Sequence, residues 1–271
     1  MKLGVLLFGH LRTFEYSSQY FIENVVKKYD CDIFMHTWDE IDSTTQSWNN
    51  KINCYKKLDE ITLEKVKTIY KPKSIIIGHQ DNQNDEVIES IDGFKKVSVN
   101  GMNYMFESMQ KANELRIAYE QEFGVKYDYL LVTRPDVAVY NFLDIPATIK
   151  EAQTLNIDID NARFFAGLYG NSDTNVRLLC NRVNDILFFA KPTVIDRYIS
   201  VNSCFNKHEL DKTFLNVVSI YARNEIKAGI IPFEICFECE KDWKNVPFSM
   251  IENRKTNFLK NMTKVLLKRI N

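Results

Sequence analysis

Residues 127–140 read Tyr-Asp-Tyr-Leu-Leu-Val-Thr-Arg-Pro-Asp-Val-Ala-Val-Tyr, an apolar run that stops at Arg134-Pro135-Asp136. A continuous run of this kind is the pattern of a buried parallel strand. Pro135 lacks an N–H and biases Thr133 and Arg134 toward extended backbone, so the strand is expected to present one cation and one carboxylate at its carboxyl edge. In open α/β sheets that edge is where ligands bind.

The same alternation of apolar and polar stretches predicts a first strand over 2–8, a helix near 16–28, and a second strand over 31–37 that closes at Trp38-Asp39. A strand, helix, strand order implies parallel pairing. Residues 40–60 are polar and read as a surface loop, 61–70 as a short helix, 74–78 as a third strand, and 80–100 as a second polar connection. From 102 to 123, Met102, Met105, Phe106, Met109, Ala112, Leu115, Tyr119 and Phe123 recur at spacings of three and four, one helical stripe that Gly124 can end. That helix feeds into the 127–136 strand. Beyond it the pattern predicts strands over 163–166 and 185–190, helices near 192–201 and 209–224, and a last strand around 230–239, with no internal repeat and no low-complexity linker.

Composition narrows this to a single α/β domain over 1–250 with a basic amphipathic helix over 251–271. The chain has 271 residues, 45% hydrophobic and 26% charged, with net charge −1. Such a balance argues against a general nucleic-acid binder, which carries a basic excess. Leu3–Phe8 is too short for a signal peptide core and lacks a small-residue cleavage site after it, and no run of about 18 apolar residues occurs. The six cysteines, at 31, 54, 180, 204, 236 and 239, are then expected as reduced thiols in the cytosol. Cys236 and Cys239 form one Cys-x-x-Cys spacing inside a β-like run, and read as two core thiols on a strand.

Three predicted strand ends supply polar groups: Gly9-His10-Leu11-Arg12, Thr37-Trp38-Asp39 and Arg134-Pro135-Asp136. Brought together, they would build an anion-binding cleft with a carboxylate at its floor. Gly9 would let backbone approach a phosphate closely, Arg12 could pair with it as a fork, and Trp38 could offer a face to a base or sugar. Against this stands a plainer reading in which Gly9 is a turn residue, Arg12 a surface cation and Asp39 a helix cap. His10 and His36, lacking a third placed ligand, read as hydrogen-bonded structural histidines.

These motifs also carry a resemblance. Gly-His-Leu-Arg-Thr-Phe after the first strand, Asp-Ile-Phe-Met-His-Thr-Trp-Asp in the second, the helix Gln110-Lys111-Ala112-Asn113-Glu114-Leu115 leading to Tyr127-Asp128-Tyr129 and Arg134-Pro135-Asp136, and Val183-Asn184-Asp185 before an aromatic strand resemble bacterial polysaccharide-synthesis glycosyltransferases of the WavE-like type, from about residue 2 to about 240. The resemblance implies a GT-A-like, mostly parallel Rossmann-type sheet and transfer of a sugar from a nucleotide donor, UDP-linked by preference, to a lipopolysaccharide or capsular polysaccharide acceptor. It places the donor against Gly9, His10, Arg12, Thr37, Trp38, Asp39, Lys111 and Arg134.

Glycosyltransferases of this class usually present Asp-x-Asp at the end of the fourth strand, holding Mn²⁺ or Mg²⁺ against the donor diphosphate. This chain has Arg134-Pro135-Asp136 there. Asp136 would be the metal ligand, yet losing one carboxylate weakens a site built from oxygen ligands, and Arg134 could itself supply charge to the phosphates. Metal dependence therefore stays open, as does a simple Arg134–Asp136 ion pair closing the strand. An inverting transfer needs a general base, for which Asp185 is the first candidate and Glu209 the alternative; each also reads as a turn or first-turn helix acid.

The tail from Arg254 to Asn271 carries six cations, Arg254, Lys255, Lys260, Lys264, Lys268 and Arg269, and no acidic residue. Apolar residues recur among them at helical spacing. Such a helix can lie on anionic lipid, at the inner face of the cytoplasmic membrane, or dock on the domain. Two other readings of the whole chain stand beside glycosyl transfer: transfer of a phosphoryl-type group onto envelope glycans, and a non-catalytic nucleotide- or glycan-binding subunit.

Overall fold

The computed structural model describes residues 1–42, 57–81, 87–88, 97–166, 186–203, 224–235 and 239–241. Its strands, in chain order, are β1 (Lys2–Phe8), β2 (Asp30–Trp38), β3 (Ser74–Gly78), β4 (Val87–Ile88), β5 (Val97–Ser98), β6 (Tyr129–Thr133), β7 (Val137–Val139), β8 (Ala162–Ala166), β9 (Leu187–Ala190), β10 (Ile231–Ile235) and β11 (Cys239–Lys241). The helices are α1 (Phe14–Phe21), α2 (Glu60–Tyr70), α3 (Val99–Phe123), α4 (Ile145–Thr154) and α5 (Pro192–Asn202), and a π-helical turn over Ile22–Val26 extends α1.

Seven strands form one sheet in the order β10-β8-β9-β6-β1-β2-β3. All run parallel except β9, which is antiparallel to both β6 and β8. From β1 the chain steps to β2 and β3 on one side, then returns to pair β6 with the other side of β1. The strand order reverses there, so the carboxyl ends of β1 and β6 flank a topological switch point.

Period-two alternation sorts the core into two layers. Leu6, Phe8, Phe34, Leu130, Val132 and Phe188 pack with Phe106 and Met109 of α3 and with Ile195 and Tyr198 of α5. Their sequence neighbours Val5, Leu7, Ile33, Met35 and Leu131 face the opposite way, toward Phe14 and Phe21 of α1, Val66 of α2 and Ile145 of α4. The result is a mostly parallel α/β sheet flanked by helices on both faces, as expected. Each fully buried Leu or Phe contributes roughly 1.5–3 kcal/mol of transfer free energy.

Local chemistry explains the helix ends. Asp59 caps α2 by accepting from the Thr62 N–H at 2.7 Å, and Lys71 closes it in the left-handed region at φ +46°. Gly124, at φ +64°, ends α3 where the apolar stripe predicted.

Four features depart from the sequence reading. The 80–100 connection holds a small antiparallel pair, β4 with β5. The 127–140 run is two strands, broken at the turn in which the Val137 N–H donates to the Arg134 carbonyl at 3.2 Å. The predicted 230–239 strand is likewise two: β10 joins the sheet, whereas β11 pairs antiparallel with β7. Cys239 therefore opens a different strand from the one that ends at Ile235, because the short ribbon captures it. Finally, α4 was not expected, although Asp144 accepting from the Ala147 N–H at 2.9 Å, with Pro146 in the first turn, is an ordinary helix start. The predicted 209–224 helix and the 251–271 tail lie outside the described residues, apart from a helical turn over 224–227.

Candidate functional site

The site is built where β1 and β6 end, with Leu7 in register with Thr133. Arg134, just past β6, grips Asp136 with both arms of its fork, Nε to Oδ1 at 2.8 Å and Nη2 to Oδ2 at 2.5 Å. From the loop after β1, Arg12 donates through Nη1 to the same Oδ2 at 3.2 Å and through Nε to Asp42 Oδ1 at 2.6 Å. Asp136 is only 2% exposed, so both of its oxygens are committed to guanidinium donors. Arg12 Nη2 and Arg134 Nη1 make no hydrogen bond among the described residues, and their side chains keep 19% and 16% exposure. Each arginine therefore offers one free edge.

Arg12 reaches this position at φ +44°, in the left-handed region, which costs an L side chain roughly 1–2 kcal/mol. Its N–H donates to the Ile41 carbonyl at 2.8 Å, and its two ion pairs hold it there. Below the cluster, the Tyr70 hydroxyl donates to the Pro135 carbonyl at 3.3 Å. Burial, and then the charge of Asp136, push that phenol well above its ordinary pKa.

A second network supports the β1 loop. Gly9 adopts φ +90°, with open space where a Cβ would stand, but its N–H is already spent on Ser108 Oγ at 2.7 Å. Gly9 thus supplies room beside the cleft rather than a phosphate donor. Ser108 also meets His36 Nδ1 at 2.7 Å. Burial, followed by the charge of Lys111, pulls the His36 pKa down to about 3. His10 contacts the Glu40 carbonyl through Nδ1 at 3.1 Å, so Nδ1 carries the proton; burial and the Arg12 charge lower its pKa to about 4. Both imidazoles are neutral at pH 7.

The second strand end divides. Thr37 and Trp38 are 0% and 1% exposed, which corrects their expected place against a ligand. β2 is an inner strand whose last residues are covered: the Trp38 indole packs edge-on against His36 at 4.7 Å and against Tyr104 at 5.4 Å. Lys111 lies 5.7 Å from the same ring and pairs with Glu107 at 2.6 Å, so it caps Trp38 from α3. Asp39 does reach the edge. Its Oδ2 meets His79 Nδ1 at 2.8 Å, while Oδ1 is buried without a hydrogen-bond partner. Beside it, Glu40 and Gln80 each bury an oxygen in the same condition, and burial raises the Glu40 pKa.

These residues do not fit the divalent ion that the resemblance implies. Asp136 has no oxygen free of a guanidinium, and an ion there would sit against two fixed cations. Among the described residues, no group of three or more His, Cys, Asp or Glu side chains is placed to hold a metal. Asp185 and Glu209 lie outside the described residues. Ile186 and Leu187 are described, and Leu187 pairs with Thr133 at the same sheet edge.

Sequence reasoning missed Asp42 and Ser108. Asp42 sits in a polar loop with no periodic signal, and Ser108 lies mid-helix, where an inward-facing serine on an apolar stripe is the one available hint.

A scan against protein-family models matched none, and a search of curated proteins found no match. Among solved structures, a crystal structure of a protein assigned as a glucose-1-phosphate thymidylyltransferase from Bacillus anthracis, in complex with a sucrose, is similar over 88% of this chain and 89% of that one. The identity is 11% and the TM-score 0.37. At that score the likeness adds nothing to the strand order already described. The fold and site define a class: a Rossmann-type α/β protein with an arginine–carboxylate cluster at its switch point.

Proposed function

We propose that this chain is a nucleotide-sugar glycosyltransferase that transfers a sugar onto a lipopolysaccharide or capsular polysaccharide precursor. One observation carries the reading: Arg12 and Arg134 converge on Asp136 at the switch point of the sheet, where open α/β folds bind ligands. In such a transfer the acceptor oxygen bonds to the anomeric carbon, the bond from that carbon to the diphosphate breaks, and the electron pair leaves with the diphosphate. Guanidinium donors already oriented toward that leaving group stabilise its charge more in the transition state than in the donor.

We take the donor to be UDP-linked, as the resemblance implies, with Asp39 at the strand end beside it. For an inverting transfer, Asp185 takes the acceptor hydroxyl proton, with Glu209 the alternative. We assign lipid contact to the basic 254–271 segment; among the described residues no helix is long and apolar enough to cross a membrane.

The test is incubation of purified protein with UDP-, GDP- and CMP-linked sugars, with and without lipid-linked glycan. Release of nucleoside diphosphate, faster with acceptor, is expected, most strongly from a UDP donor. No turnover of any donor under either condition sinks the proposal. Asp185→Asn should lower turnover with little change in donor affinity; wild-type turnover withdraws its role.

A further inference from the structure

We infer that the donor diphosphate is bound without a divalent cation, by a paired-arginine clamp in which Arg12 and Arg134 touch the phosphates and Asp136 is the positioning residue that holds both. The inference rests on the nucleotide-sugar reading of this cleft and specifies how it recognises its ligand. Three observations carry it. Both Asp136 oxygens accept guanidinium N–H donors at 2.5 to 3.2 Å, so a metal on this carboxylate would sit against two fixed cations. Each arginine nonetheless retains a free Nη edge on a partly exposed side chain. Arg12 is held in the left-handed backbone region, where a residue persists only if its surroundings over-determine it.

Charge decides how the clamp engages. Two guanidiniums face two carboxylates, Asp136 and Asp42, so the free protein's cluster is neutral in sum. The two carboxylates are not equivalent. Asp136 is 2% exposed and sits on both arginines, whereas the Asp42 side chain is 19% exposed and, of the two arginines, pairs with Arg12 through Nε. A phosphate arriving at the free edges competes with Asp42, the more exposed carboxylate, and on displacing it takes a forked, charge-assisted contact on Arg12. Asp42 thus stands in for phosphate in the free protein, and Asp136 stays in place.

The experiment is calorimetric titration of the full chain with UDP, GDP, CDP and inorganic pyrophosphate, each in excess EDTA and in excess Mn²⁺. Equal affinity in the two conditions is expected, with at least a tenfold loss in Arg12→Gln and in Arg134→Gln. Asp42→Asn should bind pyrophosphate more tightly than wild type. Asp136→Asn should bind it less tightly, and Asp136→Glu, which restores the carboxylate, should recover part of the loss. If Arg134→Gln fails to fold, Arg134→Lys replaces it, keeping the charge and losing the fork. Binding that requires Mn²⁺, or metal-free binding undiminished in the arginine variants, overturns the clamp while leaving the nucleotide-sugar reading standing. Absence of binding by UDP, GDP, CDP and pyrophosphate in both conditions overturns the reading itself.

Discussion

Ser108 Oγ lies 2.7 Å from Nδ1 of His36, a contact that ties α3 to the end of β2. The Gly9 N–H donates to the same oxygen at 2.7 Å, and the Ser108 hydroxyl donates to the His36 carbonyl at 3.4 Å. Ser108→Ala strips a partner from both the Gly9 amide and Nδ1. Leaving buried polar groups unsatisfied costs about 1–3 kcal/mol, and urea unfolding should show that loss. An unchanged midpoint at unchanged slope would contradict the support this hydroxyl gives the β1 loop.

His10 and His36 predict an acid-labile fold. Their folded pKa values, about 4 and about 3, lie below the unfolded value near 6.5, so the unfolded chain binds protons that the native state refuses. The stability this gives is fully present above pH 6.5 and is lost as pH falls toward 4. At about 1.4 kcal/mol per unit, the loss from His10 alone is on the order of 3 kcal/mol at the acid limit. Thermal melts from pH 7.5 to pH 4.5 should show a steady decline. A flat profile would mean that the rings accept protons without unfolding.

Arg163 and Glu225 form an ion pair in which both side chains are 0% exposed, and the guanidinium lies 4.6 Å from the Tyr198 ring and 4.8 Å from that of Phe188. Glu225→Gln removes the carboxylate charge facing a fully buried cation. Breaking such a pair costs about 3–5 kcal/mol, more than any rim substitution. Chemical denaturation measures it. A loss below about 1 kcal/mol would show that the Glu225 charge is not what holds Arg163 in place.

Gly78 sits where β3 passes His36 and Trp38. A Cβ there would meet His36 Nε2 at 2.6 Å and Trp38 Cζ3 at 2.9 Å, neither the end of a flexible chain. Gly78→Ala should cost about 1–3 kcal/mol and shift the Trp fluorescence, because the indole must move. Wild-type fluorescence and stability together would rule out the packing described.

For the 254–271 segment, surface binding is the expectation. Six cations contribute about 1 kcal/mol each at best near an anionic leaflet, and the Debye length of about 8 Å at physiological salt screens them. Sedimentation with phosphatidylserine vesicles should be strong at low salt, weaken as salt rises, and vanish for a chain ending at Glu252 that still binds UDP. If that shortened chain unfolds, the segment belongs to the core.

Local pattern carried β1, β2, β3, α3 and α5, since burial on one or both faces repeats with a period that residues a few positions apart reveal. It also placed Arg12, Asp39, Arg134 and Asp136 at strand ends, because Gly9 and Pro135 punctuate those ends in the sequence itself. Tertiary structure decided the rest. The direction of β9 and the capture of β11 by β7 depend on pairing between segments far apart in the chain, and strand propensity is blind to partner and direction. Trp38 is polar-tipped and ends a strand, features a binding residue shares, and only α3 lying across β2 buries it. The same holds for the cluster's chemistry: Arg134 and Asp136 are two positions apart and their pairing is readable, but Arg12 reaches Asp136 across 124 residues. That contact exists because β1 and β6 are neighbours in the sheet, and adjacency of strands is a property of the assembled core, not of either strand's sequence.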